Sequence, residues 1–226
     1  MKLSDETISV LKNFATINPN IVVRRGFLLK TISEAKNILA TAKVAEDFPL
    51  EFGIYDLNEF LSVVSMFDEP ELQFSEDGNS VKVVGEGNQS VKYFFSDQSI
   101  LTTPQKDVTM PDTEVEFSIN EAQLNQMRKA SGALGVTDVV VKKADDNTLS
   151  LVVTDIKDAT SNSFELNLTN EVKIPSEDFS LVFNISNFKF INGDYKVNIS
   201  SKLISQFTSG NVQYWVALEK SSKFGG

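Results

Sequence analysis

Carboxylates, lysines and tyrosines are the side chains that remain for acid–base or metal chemistry in this chain, because its 226 residues include neither histidine nor cysteine. A Ser-His-Asp triad, a thiolate nucleophile and a Cys-zinc site are therefore excluded. One group of acidic residues that such chemistry would use comprises Asp145, Asp146, Asp155 and Asp158. Their oxygens are ligands of the kind that Mg²⁺ and Ca²⁺ prefer.

The spacing of these four aspartates favours turns over a metal site. They flank predicted strands, and the glycine at position six and the glutamate at position twelve of an EF-hand loop are absent. Asp side chains often bond their own backbone in hairpin turns. We therefore predict no metal, no cofactor and no catalytic activity. A carboxylate-dependent enzyme stays open only if the four side chains converge on one ion.

Composition and charge narrow the function further. Hydrophobic residues make up 41% of the chain and charged residues 23%, which is ordinary for a globular protein with one large domain or two smaller ones. No apolar run reaches the roughly 18 residues of a membrane span, and Asp5 and Glu6 stand where a signal peptide would be apolar. We expect neither a membrane partner nor export. The net charge of −10 argues against nucleic acid on simple electrostatic grounds.

Two helices and several short strands are predicted in each half of the chain. Ser4 is a good N-cap for the first helix, and the acids that follow it suit the positive end of the helix dipole. Asn18-Pro19-Asn20 ends that helix. The other three predicted helices span 56–67, 120–132 and 185–191.

The order of elements repeats, with a helix, several strands, a helix and several strands in each half. Ile8 and Leu11 match Leu124 and Met127, which suggests a duplicated unit. We predict an N-terminal domain over 1–105, a linker over 106–114 and a C-terminal domain over 115–226. The predicted class is α+β, with two helices of each domain packed on one side of an antiparallel sheet.

Six segments resemble the sliding clamps of T-even-type phages. They are Met1–Ser4, Leu11–Asn18, Ile54–Leu61, Ser75–Asn79, Gly193–Lys196 and Val216–Glu219. None of them is a catalytic signature. The resemblance rests on their order and on their spread from the first residue nearly to the last.

This resemblance implies a closed homotrimeric ring in which two similar clamp domains per chain surround duplex DNA, with the helices lining the hole. An ATP-driven clamp loader would open the ring, and the phage DNA polymerase would dock on it through a C-terminal peptide. Late-transcription factors would bind the same ring, in the cytoplasm of the host cell. Such a ring needs only weak, sequence-independent attraction to phosphates, so the placement of basic residues matters more than their sum.

The resemblance also implies site residues. The candidates for the DNA-facing surface are Lys12, Arg128 and Lys129, with Lys2 and Lys189 as further additions. The second helix opposes a uniformly basic lining, because it carries Asp56 and Glu59 and no basic residue. The candidates for the partner-peptide pocket are Leu101, Met110, Tyr214 and Trp215. Since the last two are adjacent in a predicted strand, we expect one of them on the outer face.

A function of another class also fits the composition. A phage structural or assembly protein built from β-rich layers would bind protein rather than DNA, and it would need neither catalytic residues nor basic charge. The mass in solution and the retention on circular against linear DNA would distinguish the two.

Overall fold

The computed structural model describes residues 1–87, 89–169 and 171–225, and the chain forms two compact units, 1–107 and 108–226. Both units contain α-helix and antiparallel strands, so the predicted α+β class is confirmed. No helix within the described ranges is long and apolar enough to span a membrane.

Among its described residues, unit 1 contains two α-helices, seven strands and a short 3₁₀ turn. The helices are α1 (Asp5–Ile17) and α2 (Leu57–Val64), and the 3₁₀ turn spans Gln98–Ile100. The strands are β1 (Ile21–Val23), β2 (Gly26–Ile32), β3 (Ile38–Phe48), β4 (Phe52–Ile54), β5 (Glu71–Phe74), β6 (Ser80–Val84) and β7 (Ser90–Phe94).

Unit 2 contains one α-helix among its described residues, nine strands and a second 3₁₀ turn. The helix is α3 (Glu121–Leu134), and the 3₁₀ turn spans Ile185–Asn187. The strands are β8 (Val115–Ile119), β9 (Asp138–Asp145), β10 (Thr148–Thr154), β11 (Phe164–Leu168), β12 (Phe179–Asn184), β13 (Tyr195–Ser200), β14 (Ile204–Ser209), β15 (Val212–Ala217) and β16 (Lys223–Phe224).

Side chains next to the helices fix where each helix begins. The Ser4 hydroxyl accepts from the Thr7 backbone N–H at 3.2 Å, and the Asp56 carboxylate accepts from two N–H groups at the start of α2. Asn120 and Gln123 form a reciprocal capping box at the start of α3. Gly135 ends α3 in the left-handed conformation that glycine adopts without a steric penalty.

All the strand pairs within each unit are antiparallel. In unit 1, β2 pairs with β3, β1 with β4, and β6 with both β5 and β7. In unit 2, one sheet has the order β11-β10-β9-β12-β16, and β15, β14, β13 and β8 are neighbours in that order. Strands β2 and β3 pack against α1 in unit 1, and β10 and β11 pack against α3 in unit 2. Buried apolar residues of the strands and helices form the core.

The predicted helix over 185–191 is wrong, because only Ile185–Asn187 is helical and that as a 3₁₀ turn. Phe188 and Phe190 stack with ring centroids 5.2 Å apart, and both rings also contact Phe207. Residues two apart on an α-helix do not face each other. The aromatic packing of this segment is therefore incompatible with the predicted helix.

Candidate nucleic-acid interface

Helix α1 presents Lys12 from the middle of an otherwise polar outer face. Val10, Leu11 and Phe14 are buried on its inner face, while Ser9 and Lys12 are exposed. Lys12 has no ion pair within the described ranges. Its ammonium group is therefore free to meet a phosphate.

A buried carboxylate on strand β3 holds the first turn of α1. Glu46 accepts from the Ser4 backbone N–H and from the Thr7 hydroxyl. Burial alone would raise the pKa of Glu46, but these donors outweigh it and lower the pKa. Sequence reasoning missed Glu46 and the buried Thr7, because neither belongs to a motif that predicts a contact 39 residues away.

The other end of α1 is fixed by two buried asparagines. The Asn18 amide donates to the carbonyls of Ile32 at 2.8 Å and Thr102 at 3.3 Å. The side-chain oxygen Oδ1 of Asn20 accepts from the Thr102 backbone N–H at 2.9 Å. Asn18-Pro19-Asn20 therefore ends the helix, as predicted, and also ties it to the segment that follows the 3₁₀ turn of unit 1.

Helix α2 adds negative charge beside α1, with which it is in contact. Its exposed residues include Asn58, Glu59 and Ser62, and its Asp56 N-cap is also acidic. No basic side chain lies on this helix. If α2 faces a nucleic acid, it does so with small polar groups and carboxylates.

Helix α3 carries Arg128 and Lys129, which differ in their surroundings. Lys129 is exposed and has no ion pair in the part of the chain that the structure describes. Arg128 is half-buried, and its guanidinium donates to the Phe188 carbonyl at 2.8 Å and to Asn125 at 3.3 Å. Arg128 therefore links α3 to the segment where the fourth helix was expected.

The two further basic candidates are less available than Lys12. Lys2 donates to Glu69 at 2.9 Å, and this ion pair raises the pKa of Lys2 and lowers the pKa of Glu69. Lys189 is half-buried in the segment between the 3₁₀ turn of unit 2 and β13.

Acidic and basic residues occupy different levels of the helices. The acids lie in the first turns, namely Asp5 and Glu6 on α1, Glu59 on α2 and Glu121 on α3. There they complement the positive end of each helix dipole. Lys12 lies seven residues beyond Asp5, which is roughly 10 Å along the axis. In both α1 and α3 the positive charge therefore lies in the middle turns, beyond the acidic first turn.

The candidates for the partner pocket are mostly buried. Leu101 packs against Gly53, where an added Cβ would lie 2.6 Å from the Leu101 side chain, while Met110 is half-buried. Tyr214 is 0% exposed, and its hydroxyl accepts from the Ile191 backbone N–H at 3.2 Å.

Neither Tyr214 nor Trp215 is exposed, since Trp215 is only 8% exposed, and which of the two lies on the outer face stays a prediction. Adjacent strand residues do point to opposite faces, but both faces of β15 are covered at this position. The pocket itself stays a prediction.

The aspartates considered for metal chemistry form turns. Asp145, Asp155 and Asp158 each accept from the backbone N–H two residues later, at 2.8 to 2.9 Å. Asp146 instead pairs with Lys143 at 2.7 Å. Over the described ranges, no group of three acidic, histidine or cysteine residues is arranged to hold a metal ion.

Two family models match the chain, one in each unit. The model described as DNA polymerase processivity factor matches residues 4–102. The model described as gp45 sliding clamp, C terminal, matches residues 116–220.

Two relatives match along nearly the whole chain, and a solved structure has the same fold. The chain is 33% identical to the sliding clamp of Vibrio phage KVP40 over 97% of this chain and 99% of that protein. It is 29% identical to the sliding clamp of Escherichia phage RB69, over 98% of each chain. A. fulgidus PCNA, solved with the C-terminal region of FEN-1 bound, has the same fold, with a TM-score of 0.69 at 13% identity over 99% of this chain and all of that one.

Proposed function

This chain belongs to the sliding-clamp family of DNA polymerase processivity factors, and from that premise we propose that three copies close into a ring around duplex DNA. Family membership makes it a processivity factor in phage DNA replication and not an enzyme. The end-to-end match to a phage sliding clamp is the observation that carries the proposal. Three chains of two units each would give six units around the DNA.

In this ring α1 and α3 face the DNA, and Lys12, Lys129 and Arg128 approach its phosphates. The exposed lysines in the middle turns support this assignment, as do the small polar residues around them, which would not obstruct sliding. The acidic first turns would repel phosphates, so contact is confined to a narrow band of each helix. Such contacts carry no sequence information and weaken as salt rises.

The test combines Lys12→Ala with Lys129→Ala, since both lysines are exposed and neither forms an ion pair within the described ranges. Retention of the loaded ring on nicked circular DNA should shorten. The slope of the logarithm of DNA affinity against the logarithm of salt concentration should fall in magnitude by about one unit for each phosphate that the ring no longer neutralises. The matched control removes Lys82 and Lys142, two exposed lysines on strands of units 1 and 2. Equal losses in both variants would refute the assignment to the helices.

Ring closure requires two complementary surfaces, and the outer strands β7 and β11 are suited to this role. Among described residues, β7 pairs only with β6 and β11 only with β10, so each has a free edge. Val91 and Tyr93 are half-buried on one face of β7, as are Phe164 and Leu166 on one face of β11. An antiparallel pairing between copies would cover all four.

Charge on the other face supports the same pairing. Lys92 is exposed on β7 directly opposite Lys82 of β6, which is an unfavourable like-charge pair within the sheet. Glu165 is exposed on β11. A Lys92–Glu165 ion pair between neighbouring chains would compensate for the repulsion.

A charge swap tests this interface. Lys92→Glu and Glu165→Lys should each lower the mass of the assembly in sedimentation at low protein concentration, and the double variant should restore it. Lys82→Glu, one strand further from the edge, is the control and should have a smaller effect. If neither Lys92→Glu nor Glu165→Lys changes the mass of the assembly, the interface lies elsewhere.

The family premise extends to partners. We propose that an ATP-driven clamp loader opens the ring, that the phage DNA polymerase binds it through a C-terminal peptide, and that late-transcription factors use the same ring in the host cytoplasm. The FEN-1 segment bound to A. fulgidus PCNA supports peptide docking as a mode of binding for this fold. Leu101, Met110 and Trp215 remain the candidate contacts.

A fluorescent polymerase peptide should bind less tightly to a Trp215→Ala ring, and equal affinity would remove Trp215 from the set.

A further inference from the structure

Two apolar side chains are exposed side by side at the start of β2. Phe27 is 55% exposed and Leu28 is 37% exposed. Adjacent residues of a regular strand point to opposite faces, so one of the two should be buried. The register explains the exception, because Gly26 pairs with Phe48 while Leu28 pairs with Lys43. Between these pairs β2 advances two residues and β3 advances five.

This irregularity changes the direction in which the side chains of β2 point. The backbone conformation of Gly26 at the start of the strand is compatible with it. Gly26 has φ of 106°, a conformation that residues with a Cβ adopt only under strain. Bulges of this kind often redirect side chains at functional positions. The backbone therefore keeps both Phe27 and Leu28 exposed.

Two arginines next to this apolar pair make the surface basic. Arg24 and Arg25 are both exposed. The Arg24 side chain lies 3.9 Å from the Glu51 carboxylate, and Arg25 has no ion pair within the ranges described. On the same strand, Lys30 bonds the Asp107 carboxylate. In this chain of net charge −10, the start of β2 is a local basic surface that already attracts carboxylates.

From these observations we propose that residues 24–28 form a second protein-docking surface, which binds an acidic peptide segment bearing apolar side chains. Arg24 and Arg25 would pair with the carboxylates of the peptide, since guanidinium groups bind carboxylates in a bidentate manner. Phe27 and Leu28 would pack against its apolar residues. This surface shares no residue with the candidate pocket at 101, 110, 214 and 215.

A nucleic acid fits the same surface less well. Two arginines would neutralise about two phosphates, which supports only weak binding. Phe27 offers one stacking platform, and Leu28 offers none, whereas sites for single strands combine several aromatic rings with a basic groove. The contiguous aliphatic and aromatic pair instead suits a protein segment.

The test uses the full-length chain and a fluorescein-labelled peptide in which aspartates alternate with leucine and phenylalanine. Binding is followed by fluorescence anisotropy. Arg24→Glu with Arg25→Glu, and separately Phe27→Ser with Leu28→Ser, should each weaken binding about tenfold or more. The matched controls are Lys82→Glu with Lys142→Glu and Met66→Ser with Ile156→Ser, which change the same charge and exposed apolar groups elsewhere. They should bind as the parent does.

Three results would overturn the proposal. They are the absence of binding by the parent chain, equal weakening by the control variants, and tighter binding of a labelled oligothymidine than of the peptide. Circular dichroism of each variant establishes that it is folded. A lysine-for-aspartate version of the peptide should not bind, and its binding would count against recognition by charge.

Discussion

The two units differ in the helices that cover their antiparallel strands. Unit 1 packs α1 and α2 against each other, whereas unit 2 has α3 as the one α-helix among its described residues and, where a second helix was predicted, the segment 185–194. This segment is held by the stacked rings of Phe188 and Phe190 and by Arg128. The difference shows that one long helix and a packed aromatic segment suffice where the other unit uses two helices.

The basic residues follow the same division. Lys12 of unit 1 is exposed and forms no ion pair within the described ranges. Arg128 of unit 2 instead donates a hydrogen bond to the Phe188 carbonyl and so holds the segment 185–194. A positive residue on a helix can therefore hold the fold together, as Arg128 does, or stay exposed for the DNA contact that we propose, as Lys12 does. A substitution of Arg128 distinguishes a structural role from a role in DNA contact only when it is compared with the same substitution of Lys12 in the other unit.

The largest change in stability is expected for a substitution at Gly53, which packs against neighbouring backbone. A Cβ on Gly53 of unit 1 would lie 2.8 Å from the Ser96 carbonyl oxygen, which cannot move freely, whereas Gly132 on the exposed side of α3 has no atom within 4 Å. Gly53→Ala should destabilise the protein by about 3 kcal/mol, at the upper end for overpacking. Gly132→Ala should stabilise it by up to about 1 kcal/mol, because alanine favours the helix.

Thermal unfolding followed by circular dichroism measures both changes. Opposite signs are expected, with the midpoint falling by roughly 10 °C for Gly53→Ala. If the two substitutions shift the midpoint alike, unit 1 is less tightly constrained at β4 than the geometry indicates.

The second prediction compares Arg128 with Lys12. Arg128→Met should lower the free energy of unfolding by about 2 kcal/mol, because the variant cannot make the hydrogen bond from a charged group to the Phe188 carbonyl. Lys12→Met should leave it nearly unchanged, since Lys12 is exposed and surface charges contribute little. Urea unfolding curves measure both values. A loss of equal size for Lys12 would erase the distinction between the two helices.

Local patterns in the sequence predict most of the elements. The N-cap at Ser4 and the predicted helix over 120–132 place α1 and α3 correctly, and the several short strands predicted in each half are present. Strand β8 also shows an alternating pattern, because Val115, Phe117 and Ile119 are apolar and buried.

Long-range packing is what the sequence cannot reveal. Phe188 and Phe190 look like part of an apolar helix until Phe207, which stacks with both, is placed beside them. Likewise Arg128 and Lys129 are adjacent in sequence, yet only the packing of the segment 185–194 engages Arg128. The helix positions of the candidate site were therefore predictable, and the different surroundings of its basic residues were not.

The smallest effect concerns two carboxylates, one in each unit, that accept hydrogen bonds from residues distant in sequence. Glu46 of unit 1 accepts from the Ser4 backbone and the Thr7 hydroxyl, and Glu114 of unit 2 accepts from the backbone and the hydroxyl of Ser201. In each case burial raises the carboxyl pKa, but the hydrogen bonds outweigh it and the net pKa is lowered.

A lowered folded-state pKa means that the stabilisation is fully present above the pKa of the unfolded chain and is lost as the pH falls through the folded-state value. Glu46→Gln and Glu114→Gln should therefore each cost about 1 kcal/mol at pH 7, and progressively less as the pH falls below the pKa of an unfolded glutamate, about 4.3, toward the lower folded-state pKa of each parent carboxyl. Urea unfolding at pH 7 and pH 4 measures the difference. Because Glu46 is the more buried of the two, its variant should show the larger loss at pH 7. A cost that stays constant with pH would mean that the charge of these carboxylates does not hold α1 or the start of unit 2.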